Sequence, residues 1–361
     1  QRFRSEGLRA RDVVAIYAHR DASLAPALLG VLKAGAVFVV LDPAYPPARL
    51  LEYLRLARPA AFLCMEGAGM VPAEIHAYLA NAPVKLRITL PQARGSIQTL
   101  FARTPSARTA QVSADDPAYI AFTSGSTGEA KGVIGRHGPM THFLPWQRET
   151  FDLNGSDRYA PTSGLGYNHL QRDLFTALAM GATLFVPTAE DLRDARRLAR
   201  WIAQKQISVL HLTPALGRFL QTAPDVALPS LRRVFFGGDR LLRRDVAELR
   251  KHVPNAKIAS FYGATETPQA MGYYVVAPGT GAASECVPLG RGIEGVQLLV
   301  LNPQGRLAGV GELGEIVVRT PYLALGYRGD DALTLERFIA NPFTDVERDR
   351  VYRPGDLGRY L

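Results

Sequence analysis

A short segment of small hydroxyl residues, glycines and one lysine follows an apolar run at residues 119–122. It reads Thr-Ser-Gly-Ser-Thr-Gly-Glu-Ala-Lys-Gly over residues 123–132. Glycines let backbone N–H groups curl around an anion, the hydroxyl side chains add donors, and Lys131 adds a positive charge. The segment therefore predicts a phosphate-binding loop.

Two more familiar nucleotide motifs do not fit the chain. A Walker loop needs Gly-Lys-Ser/Thr at its end, whereas Lys131 is followed by Gly132, so a GTPase or P-loop kinase is not expected. The segment Gly-Val-Gly-Glu-Leu-Gly at residues 309–314 matches the dinucleotide fingerprint but precedes a predicted strand and not a helix. On its own residues, the loop at 123–132 could still be a plain surface loop of turn-forming residues.

The elements that must position this loop alternate between apolar β-branched runs and helix-period stretches. Strands are predicted at residues 13–17, 37–41, 60–64, 119–123, 183–186, 207–212, 234–237 and 258–262, and helices at 24–32, 173–180, 192–204 and 243–252. This alternation is typical of an α/β protein with parallel sheets covered by helices. After residue 271 the chain becomes Gly-rich, with β segments at 297–301 and 315–319, which predicts a smaller, mostly antiparallel β unit.

Composition limits the class of protein. The chain has 361 residues, 47% hydrophobic and 21% charged, which is enough for about two to three folding units. Cys64 and Cys286 lack a metal-ligand or disulfide pattern, so we expect a reducing, cytoplasmic setting without a membrane span. The net charge of +9 leaves open a nucleic-acid-binding protein, but the arginines are scattered and no helix-turn-helix, zinc-finger or RNP-type pattern is present. We therefore expect no nucleic-acid partner.

Five segments, in order, resemble the core motifs of the adenylate-forming superfamily, and in particular the adenylation domains of nonribosomal peptide synthetases. They lie at residues 32–49, 123–132, 262–267, 311–327 and 352–359. The first contains Leu-Asp-Pro-Ala-Tyr-Pro, which is more specific to the synthetase branch and argues against the nearest alternative, a freestanding acid:CoA ligase. One departure is Ala130, where the family usually has proline; we expect it to loosen the loop without removing a contacting group.

The resemblance covers essentially the whole chain and implies the N-terminal core of an adenylation domain. It implies two mostly parallel sheets layered with helices over residues 1–270, then a smaller distorted β-barrel over 271–361. The small C-terminal domain of the family, whose lysine reaches the active site, is expected beyond Leu361. We accordingly expect residues 1–361 alone to bind ATP and substrate, to adenylate slowly and not to complete thioester transfer.

The resemblance also implies an activity. A carboxylic acid attacks the α-phosphorus of ATP with Mg²⁺ bound, pyrophosphate leaves, and the acyl group passes to the phosphopantetheine of a carrier domain in natural product biosynthesis. No side-chain base is needed because the acid is already ionised at neutral pH. A non-catalytic homologue stays an alternative, although Lys131, Thr265, Glu266 and Asp356 are all present.

Residue roles carry over by position. The loop holds the β- and γ-phosphates, Tyr262 stacks on adenine, Gly237 and Gly238 form the other wall of the adenine site, and Asp356 accepts both ribose hydroxyls. Lys131, Thr265 and Glu266 are the implied catalytic residues, with Thr265 at the α-phosphate and Glu266 as the Mg²⁺ ligand. The full implied nucleotide set is Thr123, Ser124, Gly125, Ser126, Thr127, Gly128, Lys131, Gly237, Gly238, Asp239, Phe261, Tyr262, Gly263, Ala264, Thr265 and Asp356.

The implied substrate pocket departs from the family at one position. Amino-acid-activating members carry Asp where this chain has Asn168, and an uncharged amide cannot neutralise a buried ammonium. We hypothesise an acid without an ordinary α-ammonium, such as a hydroxy or keto acid, or one whose amine lies elsewhere; binding of an amino acid through the Asn168 carbonyl stays open. The implied lining is Asn168, His169, Arg172, His211, Phe235, Gly237, Phe261, Gln269 and Ala270.

Arg172 and His211 suggest a polar substrate tail. The segment at residues 171–176 resembles that of α-aminoadipate-reductase adenylation domains, which carry Arg and His at these pocket positions. Two donors in an apolar cavity favour an anionic tail, such as a second carboxylate. Alternatively, Arg172 pairs with Asp173 or another carboxylate and only fills space.

Overall fold

The computed structural model describes residues 2–91, 109–124, 128–166, 168–279 and 285–361, and all structural statements concern these residues. The chain divides into two compact units. Unit 1 comprises Gln1–Gly138, Gly164–Asn168 and Leu325–Gly329, and unit 2 comprises Pro139–Ser163, His169–Ala324 and Asp330–Leu361.

The strands and helices are numbered here in chain order. The strands are β1 (Val13–Tyr17), β2 (Val37–Leu41), β3 (Ala61–Met65), β4 (Leu86–Leu90), β5 (Pro117–Ser124), β6 (Ala130–Arg136), β7 (Arg158–Ala160), β8 (Thr183–Leu184), β9 (Val209–Leu212), β10 (Arg233–Phe236), β11 (Lys257–Tyr262), β12 (Gly272–Val276), β13 (Arg291–Gly292), β14 (Gln297–Leu301), β15 (Gly314–Arg319), β16 (Gly326–Tyr327), β17 (Phe338–Ala340), β18 (Arg350–Tyr352) and β19 (Leu357–Gly358). The helices are α1 (Arg2–Ser5), α2 (Leu24–Lys33), α3 (Pro47–Ala57), α4 (Ala73–Asn81), α5 (His137–Phe151), α6 (Asn168–Ala179), α7 (Ala195–Gln204), α8 (Pro214–Gln221), α9 (Arg243–His252) and α10 (Asp331–Arg337).

Unit 1 is built on a seven-stranded sheet in the order β16-β6-β5-β2-β1-β3-β4. Strands β1 to β4 pair in parallel, and every residue of β1 and β2 is buried. Such continuous apolar strands are expected where helices cover both faces of a sheet. Strands β5 and β6 form an antiparallel hairpin, in which Tyr119 lies opposite Gly135 with its ring fully buried.

Unit 2 contains the other two sheets. A seven-stranded sheet has the order β13-β12-β11-β10-β9-β7-β8, parallel from β8 to β11 and antiparallel at β12 and β13. A five-stranded sheet has the order β14-β15-β18-β17, with β19 also paired to β15, and all its pairings are antiparallel. The predicted α/β fold, with two mostly parallel sheets and a further β unit, is confirmed.

Two details differ from the sequence predictions. The segments after residue 271 supply strands to all three sheets, because β12 and β13 extend the second sheet and β16 extends the first; the predicted domain boundary at 270 stays a prediction. The predicted helix at 192–204 is divided, since a 3-10 turn at Asp191–Arg193 precedes α7. Asp194 separates the two and caps α7, accepting the Arg197 N–H at 2.6 Å, as acidic N-cap residues do.

Among the described residues, no helix has the length and apolar character needed to cross a membrane. A cleft of about 620 Å³ lies along the five-stranded sheet of unit 2. Its walls include the ion pair between Arg319 and Asp349, and none of the predicted site residues lines it.

Candidate active site

The phosphate-loop segment joins the two strands of the β5–β6 hairpin in unit 1. Thr123 pairs with Lys131 and Ser124 with Ala130, so Lys131 lies on a strand at the base of the loop and is half-buried. Gly128 has a positive φ of 84°, which glycine adopts without strain. The predicted residues Gly125, Ser126 and Thr127 lie outside the described part of the chain.

In unit 2, the predicted nucleoside residues lie where β10 and β11 end. The two strands run in parallel with Phe236 opposite Ser260, so Gly237 and Gly238 follow β10 beside the end of β11 at Tyr262. Ligands of α/β sheets usually bind at the carboxyl ends of parallel strands. Gly237, Gly238 and Tyr262 therefore lie at strand ends of this kind, and their role in nucleoside binding stays a prediction.

The glycine pair lies in close contact with His169 of α6. A Cβ on Gly237 would lie 3.4 Å from His169 Nε2 and 3.8 Å from Arg172 Nη1. Gly238 has a φ of 89°, and a Cβ there would lie 3.2 Å from His169 Cε1. A side chain at either position would therefore crowd His169, while Gly238 itself is exposed. The neighbouring Asp239 is also exposed and accepts the Arg240 N–H at 2.7 Å.

Tyr262 and Asp356 meet in this unit although they lie far apart in sequence. The Tyr262 hydroxyl donates to Asp356 Oδ2 at 2.7 Å, and Asp356 is exposed. Burial, and then this carboxylate, raise the pKa of Tyr262, so its hydroxyl remains a donor. An exposed carboxylate next to an aromatic ring can accept hydrogen bonds from the hydroxyl groups of a nucleoside.

The segment after β11 forms a compact turn. The Ala264 N–H donates to Thr267 Oγ1 at 2.8 Å, and the Thr267 N–H donates to the Ala264 carbonyl at 3.2 Å. A Cβ on Gly263 would lie 3.3 Å from the Thr267 carbonyl oxygen, so glycine allows the close approach. Within this turn Thr265 is half-buried and Glu266 is buried.

Glu266 fits the single-carboxylate type of magnesium site. Mg²⁺ is usually held by one or two carboxylates together with substrate phosphates, and it keeps several waters. The described residues contain no group of three or more His, Cys, Asp or Glu side chains that could hold a metal by themselves. A metal held here would therefore depend on a nucleotide for its remaining ligands.

Helix α6 aligns two polar side chains of the predicted pocket, His169 and Arg172, with Asp173 along one face. His169, Arg172 and Asp173 are followed by Thr176, so their spacing of three and four residues aligns them along the helix. The helix begins at Asn168, five residues before the predicted start at Asp173. Asn168 is therefore its first residue, and its side chain lies outside the described part of the structure.

Arg172 is a buried cation that pairs with no carboxylate in the described part of the chain. Its side chain is 3% exposed, and its Nη2 donates to the Gln269 carbonyl at 2.5 Å. Its guanidinium lies 5.4 Å from the Phe143 ring and 5.3 Å from the Phe261 ring. Among the described residues it forms no ion pair, and its Nε has no hydrogen-bond partner. The alternative in which Arg172 pairs with Asp173 is therefore not what the structure shows.

Gln269, whose carbonyl accepts the bond from Arg172, has an unusual backbone conformation. Its φ is 73°, which is uncommon for a residue other than glycine. The side chain is 3% exposed, and neither amide atom has a partner among the described residues. The next residue, Ala270, is fully buried. Unpaired buried amide groups cost free energy, so a ligand that bonds to them is favoured.

His211 belongs to a buried polar chain that sequence reasoning did not find. Its Nδ1 lies 2.7 Å from Asp173 Oδ1, and its Nε2 lies 2.9 Å from the amide nitrogen of Gln147. Gln147 in turn accepts the Thr176 hydroxyl at 3.2 Å. Because the Gln147 amide donates to Nε2, the ring carries its proton on Nδ1 and donates it to Asp173. Both ring nitrogens of His211 therefore already have hydrogen-bond partners, and the ring stacks on Phe235. His211 has no N–H to donate to a polar substrate tail.

Electrostatics in the pocket favour neutral histidines beside the arginine. Burial, followed by the charge of Arg172, lowers the pKa of His169 to about 3. Burial lowers the pKa of His211 well below its usual range, and Arg172 and His169 contribute to the shift. Burial lowers the pKa of Arg172 to about 10, which still leaves it charged at neutral pH. Arg172 is therefore the positive group of this cluster.

Two residues of helix α5 were missed by sequence analysis. Gln147 orients His211, and Phe143 packs edge-on against Phe261 with ring centroids 6.0 Å apart. Their spacing of four residues on one helix was the available signal, but residues 137–151 contain Pro145 and showed no clear helical period.

The chain is similar to one family along most of its length. Residues 1–328 match the family described as AMP-binding enzyme. The chain is 39% identical to the L-2-aminoadipate reductase large subunit of Eremothecium gossypii over 99% of its own length. It spans only 29% of the length of that reductase.

Solved structures show the same fold. A nonribosomal peptide synthetase, FmoA3, aligns with all of this chain and 37% of its own, with a TM-score of 0.86 and 25% identity. The N-terminal subdomain of Klebsiella oxytoca NpsA, in complex with 3-hydroxybenzoyl-AMSN, aligns with 99% of this chain and 86% of its own, with a TM-score of 0.83 and 27% identity.

Proposed function

Because the chain belongs to the AMP-binding enzyme family, we propose that it activates a carboxylic acid as an acyl-adenylate. A carboxylate oxygen of the acid forms a bond to the α-phosphorus of ATP, and the bond from that phosphorus to the bridging oxygen of the β-phosphate breaks. Pyrophosphate leaves, and no proton has to be removed because the acid is ionised at neutral pH. The adenylation domains of this family use ATP and Mg²⁺.

The proposed nucleotide-binding residues are described for each unit by itself. In unit 1, the loop at residues 124–131 and Lys131 bind the β- and γ-phosphates, where donors and a cation meet negative charge. In unit 2, Tyr262 and the glycine pair Gly237 and Gly238 bind adenine, and Asp356 accepts the ribose hydroxyls. The exposed backbone at Gly238 and the exposed carboxylate beside Tyr262 support this assignment.

Thr265 and Glu266 are assigned to the reacting phosphate. Bound Mg²⁺ would neutralise charge on the phosphate oxygens and help pyrophosphate to leave. The buried carboxylate of Glu266 would hold it, and the hydroxyl of Thr265 in the same turn would donate to the α-phosphate.

The observation that carries the substrate proposal is the buried, carboxylate-free guanidinium of Arg172. A buried charge without a partner is strongly unfavourable, and a ligand anion removes that penalty. Its neighbours are apolar rings and the unpaired amide of Gln269, which can also bond to a carboxylate. We therefore assign the enzyme an acid with a second anionic or strongly polar group on its tail.

The α-substituent of the acid follows from Asn168. An amide at this position cannot neutralise a buried ammonium, so a hydroxy, keto or other non-amino acid is favoured over a common L-amino acid. The acyl group would then pass to the phosphopantetheine of a carrier domain. The resemblance to synthetase adenylation domains supports this last step.

Pyrophosphate exchange into ATP tests the proposal with matched acids. The panel pairs a dicarboxylic acid with the monocarboxylic acid of equal length, and each α-hydroxy or α-keto acid with its L-amino counterpart. We expect the exchange rate to be highest for dicarboxylic acids that lack an α-ammonium. Preference for a common neutral L-amino acid would contradict both substrate assignments, and absence of exchange together with absence of ATP binding would contradict adenylation.

A further inference from the structure

Helix α3 of unit 1 holds the far side of the phosphate-loop hairpin through two charged residues. Arg49 and Glu52, three positions apart on the helix, form an ion pair with Nη1 and Oε2 separated by 2.9 Å. The other carboxylate oxygen of Glu52 accepts the Ala130 N–H at 2.6 Å. Arg49 Nη1 also donates to the Gly128 carbonyl at 3.1 Å. The two residues that flank Glu129 are therefore bonded to one ion pair.

The opposite strand of the hairpin contacts the same turn of the helix. The ring of Tyr53 stacks on that of Phe122 in β5, with centroids 3.9 Å apart and planes 3° from parallel. Arg49 Nε donates to the Tyr53 hydroxyl at 3.3 Å. Both strands that lead into and out of the loop are thus attached to residues 49–53 of α3.

We propose that Arg49 and Glu52 are positioning residues that hold the Gly128 to Ala130 arm of the loop in the conformation that binds the β- and γ-phosphates of ATP. This inference rests on the proposed function, because it takes residues 124–131 as the phosphate loop. Neither residue is assigned a contact with the nucleotide; both act through the backbone of the loop.

The bond between Glu52 and the backbone at position 130 requires a residue other than proline there, and this chain has Ala130. A proline at this position, as the family usually has, has no N–H to donate. Here the N–H exists and is bonded to a carboxylate, and such charge-assisted bonds are stronger than those between neutral groups. We expected Ala130 to loosen the loop, but the bond to Glu52 ties this arm of the loop to the helix.

Isothermal titration calorimetry with ATP and with AMP separates positioning from a general structural role. AMP lacks the phosphates that the loop binds, so only ATP binding should respond to the loop. We expect Glu52→Ala to weaken ATP binding about tenfold, equivalent to about 1.4 kcal/mol, and to change AMP binding less than about twofold. Glu52→Gln keeps an oxygen that accepts the Ala130 N–H and should recover most of the ATP affinity.

A double-mutant cycle identifies the bond itself. Ala130→Pro removes the N–H, so Glu52→Ala added to Ala130→Pro should change ATP affinity less than about twofold, since coupled residues are not additive. Glu248→Ala is the matched control, because Glu248 forms the same kind of ion pair with Lys251 on α9. It should leave both affinities unchanged.

The inference would be overturned if Glu52→Ala weakened ATP and AMP binding equally, or if it weakened neither. It would also be overturned if Glu52→Ala weakened ATP binding as much in the Ala130→Pro background as in the unsubstituted protein. If the unsubstituted protein binds AMP and ATP equally tightly, the phosphate loop is not where we place it, and the inference falls with it. If it binds neither nucleotide, the proposed function is contradicted, which is a different result from any of the first three.

Discussion

The hydroxyl of Tyr262 donates a hydrogen bond of 2.7 Å to the carboxylate of Asp356, which lies 94 residues further along the chain. The backbone of Asp356 is fixed at the same time, because its carbonyl accepts the Ile316 N–H at 2.8 Å. Its Oδ1 accepts no hydrogen bond from the residues that the structure describes. Tyr262 therefore holds one oxygen of the carboxylate and leaves the other to a ligand.

Removal of either partner should weaken ATP binding to different degrees. Asp356→Asn replaces a charged acceptor, and we expect a loss of about tenfold or more, the usual effect of a hydrogen bond to a charged group. Tyr262→Phe keeps the ring that stacks on adenine and loses only the orienting bond, so we expect about a threefold loss. Calorimetric titration with ATP measures both.

Tyr274→Phe on β12 is the control for Tyr262→Phe, since it removes a tyrosine hydroxyl from the strand next to β11. It should leave ATP affinity unchanged. An equal loss in Tyr262→Phe and Asp356→Asn would contradict the division of roles.

Arg172→Met should abolish use of a dicarboxylic acid without unfolding the protein. We expect the KM for that acid to rise about 100-fold, as for loss of one partner of a buried charge pair, while the matched monocarboxylic acid is affected only slightly. Stability should fall by no more than about 2 kcal/mol, because the only group left unpaired is the Gln269 carbonyl. Pyrophosphate exchange and denaturant unfolding give the two readouts.

Arg232→Met provides the contrasting case. Arg232 pairs with Asp157, which is 1% exposed, so its removal leaves a buried carboxylate and should cost about 3–5 kcal/mol. If Arg172→Met is destabilised to the same extent, Arg172 has a structural role.

The neutral state of His169 should make the protein acid-sensitive. Its pKa is lowered to about 3 from the usual 6.5 by burial and by Arg172. A histidine with a lowered pKa contributes stability that is fully present above pH 6.5 and is lost as pH falls towards 3, because the unfolded chain binds the proton first. His169→Gln should therefore reduce the slope of unfolding free energy against pH in this window by up to about 1.4 kcal/mol per pH unit.

Denaturant unfolding at a series of pH values measures that slope. Leu178→Gln, at a 42% exposed position on the same helix, is the control and should shift the curve without altering its slope. An unchanged slope in His169→Gln would show that the folded-state pKa of His169 is not lowered.

Gly135 should tolerate no side chain. A Cβ on Gly135 would overlap the ring of Tyr119, which is fully buried and cannot move aside. We expect Gly135→Ala to destabilise the protein by about 1–3 kcal/mol or more, the usual cost of overpacking. Gly30→Ala in α2 meets nothing within 4 Å and should stabilise the helix by about 0.5–1 kcal/mol. Thermal unfolding compares the two, and an opposite order would contradict the packing described here.

The central strands were predictable because their signals are local. The buried runs at β1 and β2 have the predicted bounds, since continuous apolar β-branched residues specify a covered strand over a few positions. Helix α6 was predicted too short at its start, because His169 and Gln171 are polar and resemble loop residues in the sequence.

The sequence by itself determined the α/β class, the order of the motifs and the residue types available for ATP and a carboxylic acid. Only the tertiary structure decided which polar groups are already paired. Asp173 is bonded to His211, 38 positions away, and Arg172 to the Gln269 carbonyl, 97 positions away. Adjacent charges in a sequence suggest an ion pair, but Arg172 and Asp173 each bond to a group from a distant part of the chain. Folding therefore leaves Arg172 buried without an ion-pair partner among the described residues, which is the basis of the substrate proposal.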